Sequence, residues 1–177
     1  RLGPDAELYV GDGEALPCAD KEYDFCVLWP VLGFCEDPGR GLAEAAPADD
    51  PPFPTAIRHF ARGMAHARTG KPGQAARDAD ALHAIAIAPA TMRVAFGNNN
   101  ADAVLRVADL LLRGELLRTQ GRMADALATL REAAAAEDTL RYNEPADWPL
   151  PVRTYLGAAL LDTGDAAGAA RAYREDL

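Results

Sequence analysis

A glycine, a second glycine seven residues on and an alanine five residues beyond that recur three times along this chain. They stand as Gly63, Gly70, Ala75, as Gly114, Gly121, Ala126 and as Gly157, Gly164, Ala169. A spacing kept through three copies calls for one structural unit used three times. The second glycine of each set suits a helix stop, because the left-handed conformation just past a helix end costs glycine nothing. The first lies two turns earlier, inside a helix, where it is about 1 kcal/mol worse than alanine and so requires a compensating role. The alanine falls about one turn into the following helix. Small residues at both places predict that paired helices approach backbone to backbone near each reversal.

The apolar spacing agrees. Ile57, Phe60, Ala61 and Met64 recur at three- and four-residue steps and are answered by Ala75, Ala79, Leu82 and Ala86. Val104, Leu105, Ala108, Leu111 and Leu112 are set against Ala126, Leu127, Leu130 and Ala133, and Val152, Leu156, Ala159 and Leu160 against Ala169, Ala172 and Tyr173. Each set is one face of a helix. Three hairpins are predicted, over 54–88, 100–138 and 150–177. Alanine is the most frequent apolar residue and aromatics are only 7% of the chain, which leans the same way, since alanine is the strongest helix former. The fold expected over 54–177 is mainly α, a helical-hairpin array. Asn98-Asn99-Asn100 reads as a loop running into a helix N-cap. Trp148, between Asp147 and Pro149, is expected to plug the edge of the third hairpin.

These residues resemble the tetratricopeptide repeat family. The two glycines and the alanine match the small positions of its motif, and Tyr173 stands at its aromatic position; the resemblance covers about 54–177. The repeats start 51 and 43 residues apart, wider than the family's roughly 34. His59, Leu110 and Arg153 stand where early aromatics are usual. The resemblance implies an α-solenoid whose first helices line a concave groove that holds a peptide or helix of a partner protein. Mapped onto this chain, the groove residues are Met64, Arg68, Glu115, Arg118, Thr119, Thr154, Ala158 and Asp162. Arg68 and Arg118 are the candidates to grip a carboxylate by bidentate hydrogen bonds, with solvated surface charges as the plainer alternative. No polar capping helix follows the third hairpin, so self-association through that end is a further expectation.

Residues 1–46 read differently. Glu7–Val10 and Phe25–Trp29 are strand candidates, and Asp37-Pro38 opens a short helix. Pro47 to Phe53 is too rich in proline and acid for a helix or strand interior and reads as a linker. Gly11-Asp12-Gly13-Glu14-Ala15-Leu16-Pro17, Tyr23-Asp24-Phe25 and Glu36-Asp37-Pro38 with Leu42-Ala43-Glu44 resemble the middle of a class I S-adenosylmethionine-dependent methyltransferase, over 6–46. That resemblance implies that Asp12 accepts from the adenine amino group and that the Gly13 amide reads the ring. The glycine-rich loop that would hold the methionine end is absent from the sequence. The two strand candidates correspond to strands that are not neighbours in such a sheet, and two strands alone are marginal in water. This piece is therefore expected to be a truncated segment that neither binds S-adenosylmethionine nor catalyses. The enzyme alternative is a methyltransferase with a helical accessory domain.

Charge and chemistry exclude other classes. A formal net charge of −9 and a pI near 4.8, with arginines scattered among acids, oppose binding to nucleic acid or anionic membranes. No apolar run is long enough to span a bilayer. Serine is absent, which removes a serine nucleophile. Cys18, Cys26 and Cys35 have neither disulfide nor metal-ligand spacing, which favours a reducing, cytoplasmic setting. His59 and His66, seven apart, would share a helix face with His83 on the next helix, but a metal site needs three or four converging ligands. No catalytic residue, metal or cofactor is assigned.

Overall fold

A computed structural model describes residues 51–176. The described residues are mostly helical. Helices α1 (Pro52–Arg68) and α2 (Pro72–Ala86) form the first pair. A 3-10 turn (Thr91–Arg93) and two short strands, β1 (Ala95–Phe96) and β2 (Asn99–Asn100), lead to α3 (Ala101–Thr119) and α4 (Met123–Glu137). The last pair is α5 (Val152–Asp162) and α6 (Ala166–Arg174). Helix α1 begins at Pro52, inside the proline-rich stretch read as a linker. Prolines fit there because the first-turn amides have no intrahelical acceptor to lose.

Three matching stops join the two helices within each pair. Gly70, Gly121 and Gly164 have φ of +73°, +74° and +83°, the left-handed region that only glycine enters freely. In each turn the residue after the glycine donates its amide back to the carbonyl five residues earlier: Lys71 to His66 at 2.9 Å, Arg122 to Leu117 at 3.0 Å and Asp165 to Leu160 at 3.0 Å. This closes the orphan carbonyls of the helix end in the same way three times. The alanines that follow, Ala75, Ala126 and Ala169, are buried.

The first glycine of each set meets side chains instead of backbone. A Cβ on Gly114 would lie 2.7 Å from Leu130 Cδ2, and one on Gly157 would fall against the Tyr173 ring. The glycine is a notch that receives a large side chain of the second helix. The place in α2 equivalent to Leu130 and Tyr173 is Ala79, too small to fill it. The notch at Gly63 is entered by Leu112 of α3, whose Cδ2 lies 2.7 Å from the Cβ position, while Asp78 Cβ lies 3.2 Å away. The expected backbone-to-backbone approach is thereby corrected to side chain in notch.

Helix α3 is the hub. It packs on α1, α2, α4 and α5, and Val104, Leu105, Val107, Leu111 and Leu112 are fully buried on it. Each such side chain contributes about 1.5–3 kcal/mol of transfer free energy. Phe60, Met64, Leu82, Leu130, Val152, Leu156 and Leu160 complete the same cluster. Ile57 and Leu127 are only partly covered.

The two long connections between pairs are fastened to each other. Asn99 Nδ2 donates to Asp147 Oδ2 (2.7 Å) and to the Arg141 carbonyl (3.0 Å), and Asn99 Oδ1 accepts the Arg141 amide (2.8 Å). Asn98 Nδ2 donates to the Tyr142 carbonyl at 2.8 Å. Asn100 occupies the N-cap of α3, but its side chain makes no capping bond. Trp148 is buried and meets Phe60 of α1 edge-on, ring centroids 5.1 Å apart. It ties the second connection to the first pair of helices.

Candidate functional site

Four of the eight predicted groove residues form one ionic line across the first helices of all three pairs. Arg68 ends α1, Glu115 and Arg118 stand in the last turns of α3, and Asp162 ends α5. Arg68 Nη2 lies 4.0 Å from Glu115 Oε2. Arg118 Nη1 is 3.2 Å from Glu115 Oε1, and Arg118 Nε donates to Asp162 Oδ2 at 2.7 Å. The line has a graded exposure that decides which member is available. The Glu115 side chain is 3% exposed, Arg118 26%, Asp162 44% and Arg68 60%. A buried carboxylate needs its partners, so Glu115 fixes Arg118, and Arg68 projects furthest into solvent. The hydrogen bond from Arg118 to Asp162 raises the Arg118 pKa, burial opposes it less strongly, and the nearby charge of Glu115 adds to the rise.

Tyr155 of α5, absent from the predicted set, belongs to this site. The Arg68 guanidinium carbon stands 5.8 Å from the centre of its ring, within cation–π range. Tyr155 lies seven residues before Asp162, two turns along the same helix face, which is the signal that would have found it. The other predicted residues fare differently. Met64 is buried in the core and offers nothing to a ligand. Thr119 is exposed, and its hydroxyl donates to the Leu116 carbonyl at 2.9 Å. Thr154 is exposed and Ala158 half-buried on α5. Asp12 and Gly13, like Cys18, Cys26 and Cys35, lie outside the described residues.

All three histidines are drawn to two buried aspartates. Asp78 of α2 is 3% exposed. Its Oδ1 accepts from Arg62 Nε (2.9 Å) and lies 3.0 Å from His59 Nδ1, while its Oδ2 lies 3.0 Å from His66 Nδ1. Burial pushes the Asp78 pKa up, but the bonds from Arg62, His59 and His66 together leave it below the ordinary value. His83 turns instead to Asp109 of α3, Nδ1 to Oδ2 at 2.7 Å, and Arg113 Nε donates to the other oxygen at 2.8 Å. The histidines therefore do not converge, and among the described residues no group of three or more His, Cys, Asp or Glu side chains is arranged to hold a metal ion. Asp78 and Asp109 sit at core-facing register positions, beside Ala79 and Ala108. An acid in such a place, opposite a helix carrying His and Arg, is the sequence signal for an interhelical ion pair.

No described helix is long and apolar enough to cross a membrane. The chain matches no family model, no curated protein and no solved structure.

Proposed function

We propose that residues 54–177 are a tetratricopeptide-type repeat module that holds a peptide or helix of a partner protein against the first helices of its three hairpins. One observation carries this reading. The ionic line Arg68–Glu115–Arg118–Asp162 runs from α1 through α3 to α5, so a single surface track is shared by the three units. Its exposed end is a cation beside an aromatic ring, a pairing suited to the acidic end or an acidic side chain of a peptide. The exposed Arg118–Asp162 pair contributes little to stability, about 0–1 kcal/mol. An incoming carboxylate can therefore exchange for Asp162 at small cost. This reading assigns neither a catalytic residue nor a cofactor.

The test is a peptide array probed with the full chain at low and high salt. Acidic peptides should be retained and basic or neutral ones not, and Arg68→Glu should abolish retention while leaving the far-UV circular dichroism unchanged. Retention that ignores peptide charge, or that survives Arg68→Glu, would sink the assignment.

A further inference from the structure

A second site lies on another face of α3. Asp102, Arg106, Asp109 and Arg113 follow at steps of four, three and four residues, which makes a single stripe, distinct from the face of Glu115 and Arg118. On the α2 side this stripe borders a pocket of about 390 Å³, within the ordinary size range for small-molecule sites. Its apolar wall comes from Leu110, from Ile87 at the end of α2 and from Met92 in the 3-10 turn. Ile87 is 56% and Met92 49% exposed, so both side chains are open to a ligand in the pocket.

The polar wall is unevenly satisfied. Asp109 is neutralised by Arg113 and orients His83, as described. Asp102 and Arg106, one helical turn apart on the same stripe, do not pair with each other. Neither side chain has a hydrogen bond or ion pair among the described residues, and Asp102 Oδ1 is shielded from solvent without a donor. Glu or Asp four residues before Arg normally pairs on a helix surface. Here an acceptor and a cation stand apart at the mouth of one pocket. Their charges cancel, so the site favours neither an anion nor a cation alone. It suits a molecule that carries an ammonium and a carboxylate a short distance apart, with an apolar tail.

We infer that this pocket binds an apolar α-amino acid of about leucine or methionine size. Its ammonium donates to the Asp102 carboxylate at Oδ2, the oxygen that solvent reaches, its carboxylate accepts from Arg106, and its side chain lies against Ile87, Met92 and Leu110. Asp102 and Arg106 also border a cavity of about 480 Å³ on the α4 side, but the other walls there are alanines, Glu132 and Thr139. That side lacks the large apolar surface, which places the ligand towards α2.

The chain contains three methionines, Met64, Met92 and Met123, and these report on the site directly. In the 177-residue chain with methyl-labelled methionine, titration with leucine to about 10 mM, a range that detects Kd values near 1 mM, should move the Met92 signal and leave Met64 and Met123 in place. N-acetylleucine and leucinamide, each lacking one charge, should bind at least about tenfold more weakly, the loss expected for one charge-assisted hydrogen bond. Arg106→Ala, a change at an exposed position, should weaken leucine by a similar factor with the Met64 and Met123 signals unchanged. Absence of any Met92 shift with leucine, methionine or phenylalanine overturns the inference. So does equal binding of N-acetylleucine, or undiminished binding by Arg106→Ala.

Discussion

Leu130 fills the space that Gly114 leaves open. A Cβ on Gly114 would lie 2.7 Å from Leu130 Cδ2 and 2.8 Å from its Cγ, closer than carbon atoms pack. Two effects compete in Gly114→Ala. The alanine gains about 1 kcal/mol of helix propensity, while overpacking costs about 1–3 kcal/mol. Leu130 is fully buried and has little room to yield, so overpacking should win, with a net loss of about 1–2 kcal/mol in urea denaturation. Adding Leu130→Val should recover part of that loss. A strictly additive double mutant would contradict the notch.

Gly121 tests the turn without any packing contribution. Its φ is +74° and a side chain added there would have open space around its Cβ. Gly121→Ala should therefore cost about 1–2 kcal/mol from left-handed strain alone. Gly121→Asn should cost less, because asparagine tolerates that region better. Equal midpoints for the two variants in thermal melts would count against the turn described above.

Asp78 should be the most sensitive polar residue in the first helix pair. Asp78→Ala strands Arg62, His59 and His66 around a lost carboxylate. A loss of about 3 kcal/mol is expected, the low end for a broken buried pair, since Arg62 remains partly solvated. The pH dependence has a definite sign. The Asp78 pKa is lowered in the folded state, so its contribution is complete above the unfolded value of about 4 and is lost as pH falls through the folded value. Wild-type stability measured between pH 6 and pH 3 should therefore fall more steeply than that of Asp78→Asn.

Glu137 has the opposite sign. Burial, reduced in part by the bond from the Val152 amide, raises its pKa, and that amide donates to Glu137 Oε2 at 3.0 Å. A raised carboxylate favours the folded state at low pH and loses that advantage as pH rises through the folded value. Glu137→Gln keeps an acceptor for Val152 and removes the buried charge. Its melting temperature should exceed wild type at pH 7, and the difference should shrink as pH falls through the raised folded value and be lost below the unfolded value of about 4.5.

The arginines of the ionic line should separate. Arg68→Ala, at an exposed side chain, should change stability by less than about 0.5 kcal/mol. Arg118→Ala leaves Glu115 buried beside only a distant Arg68 and should cost about 2–3 kcal/mol. Chemical denaturation of both variants gives the comparison.

The helices, their three stops and much of the core were legible in the sequence, because each rests on local chemistry. A helix stop needs a residue that accepts positive φ, and Gly70, Gly121 and Gly164 announce it. What fills the notches was not legible. Leu130 and Tyr173 lie sixteen residues after their glycines, and recognising Leu112 as the substitute for Ala79 requires knowing that α3 lies on α1. The aspartates were missed for a related reason. Charged residues are mostly solvated, so Asp78 and Asp109 read as surface until the opposing helix brings His59, Arg62, His66 and Arg113 to them. Of the residues predicted to line a groove, Arg68, Glu115, Arg118 and Asp162 meet as a line, whereas Met64 turns inward because its three-and-four spacing with Phe60 sets it on the core face. The pairing of Asn98 and Asn99 with the segment near Arg141 joins positions more than forty residues apart, beyond any local pattern.

The small Ala79 has a consequence for how the chain can be divided. Since Leu112 comes from the second hairpin to occupy the hollow at Gly63, residues 51–90 alone would carry an open gap where a leucine belongs. A truncation after α2 should leave that fragment unfolded or molten. Any autonomous piece containing the first hairpin then includes at least α3, so the leading unit borrows its closure from the one that follows it.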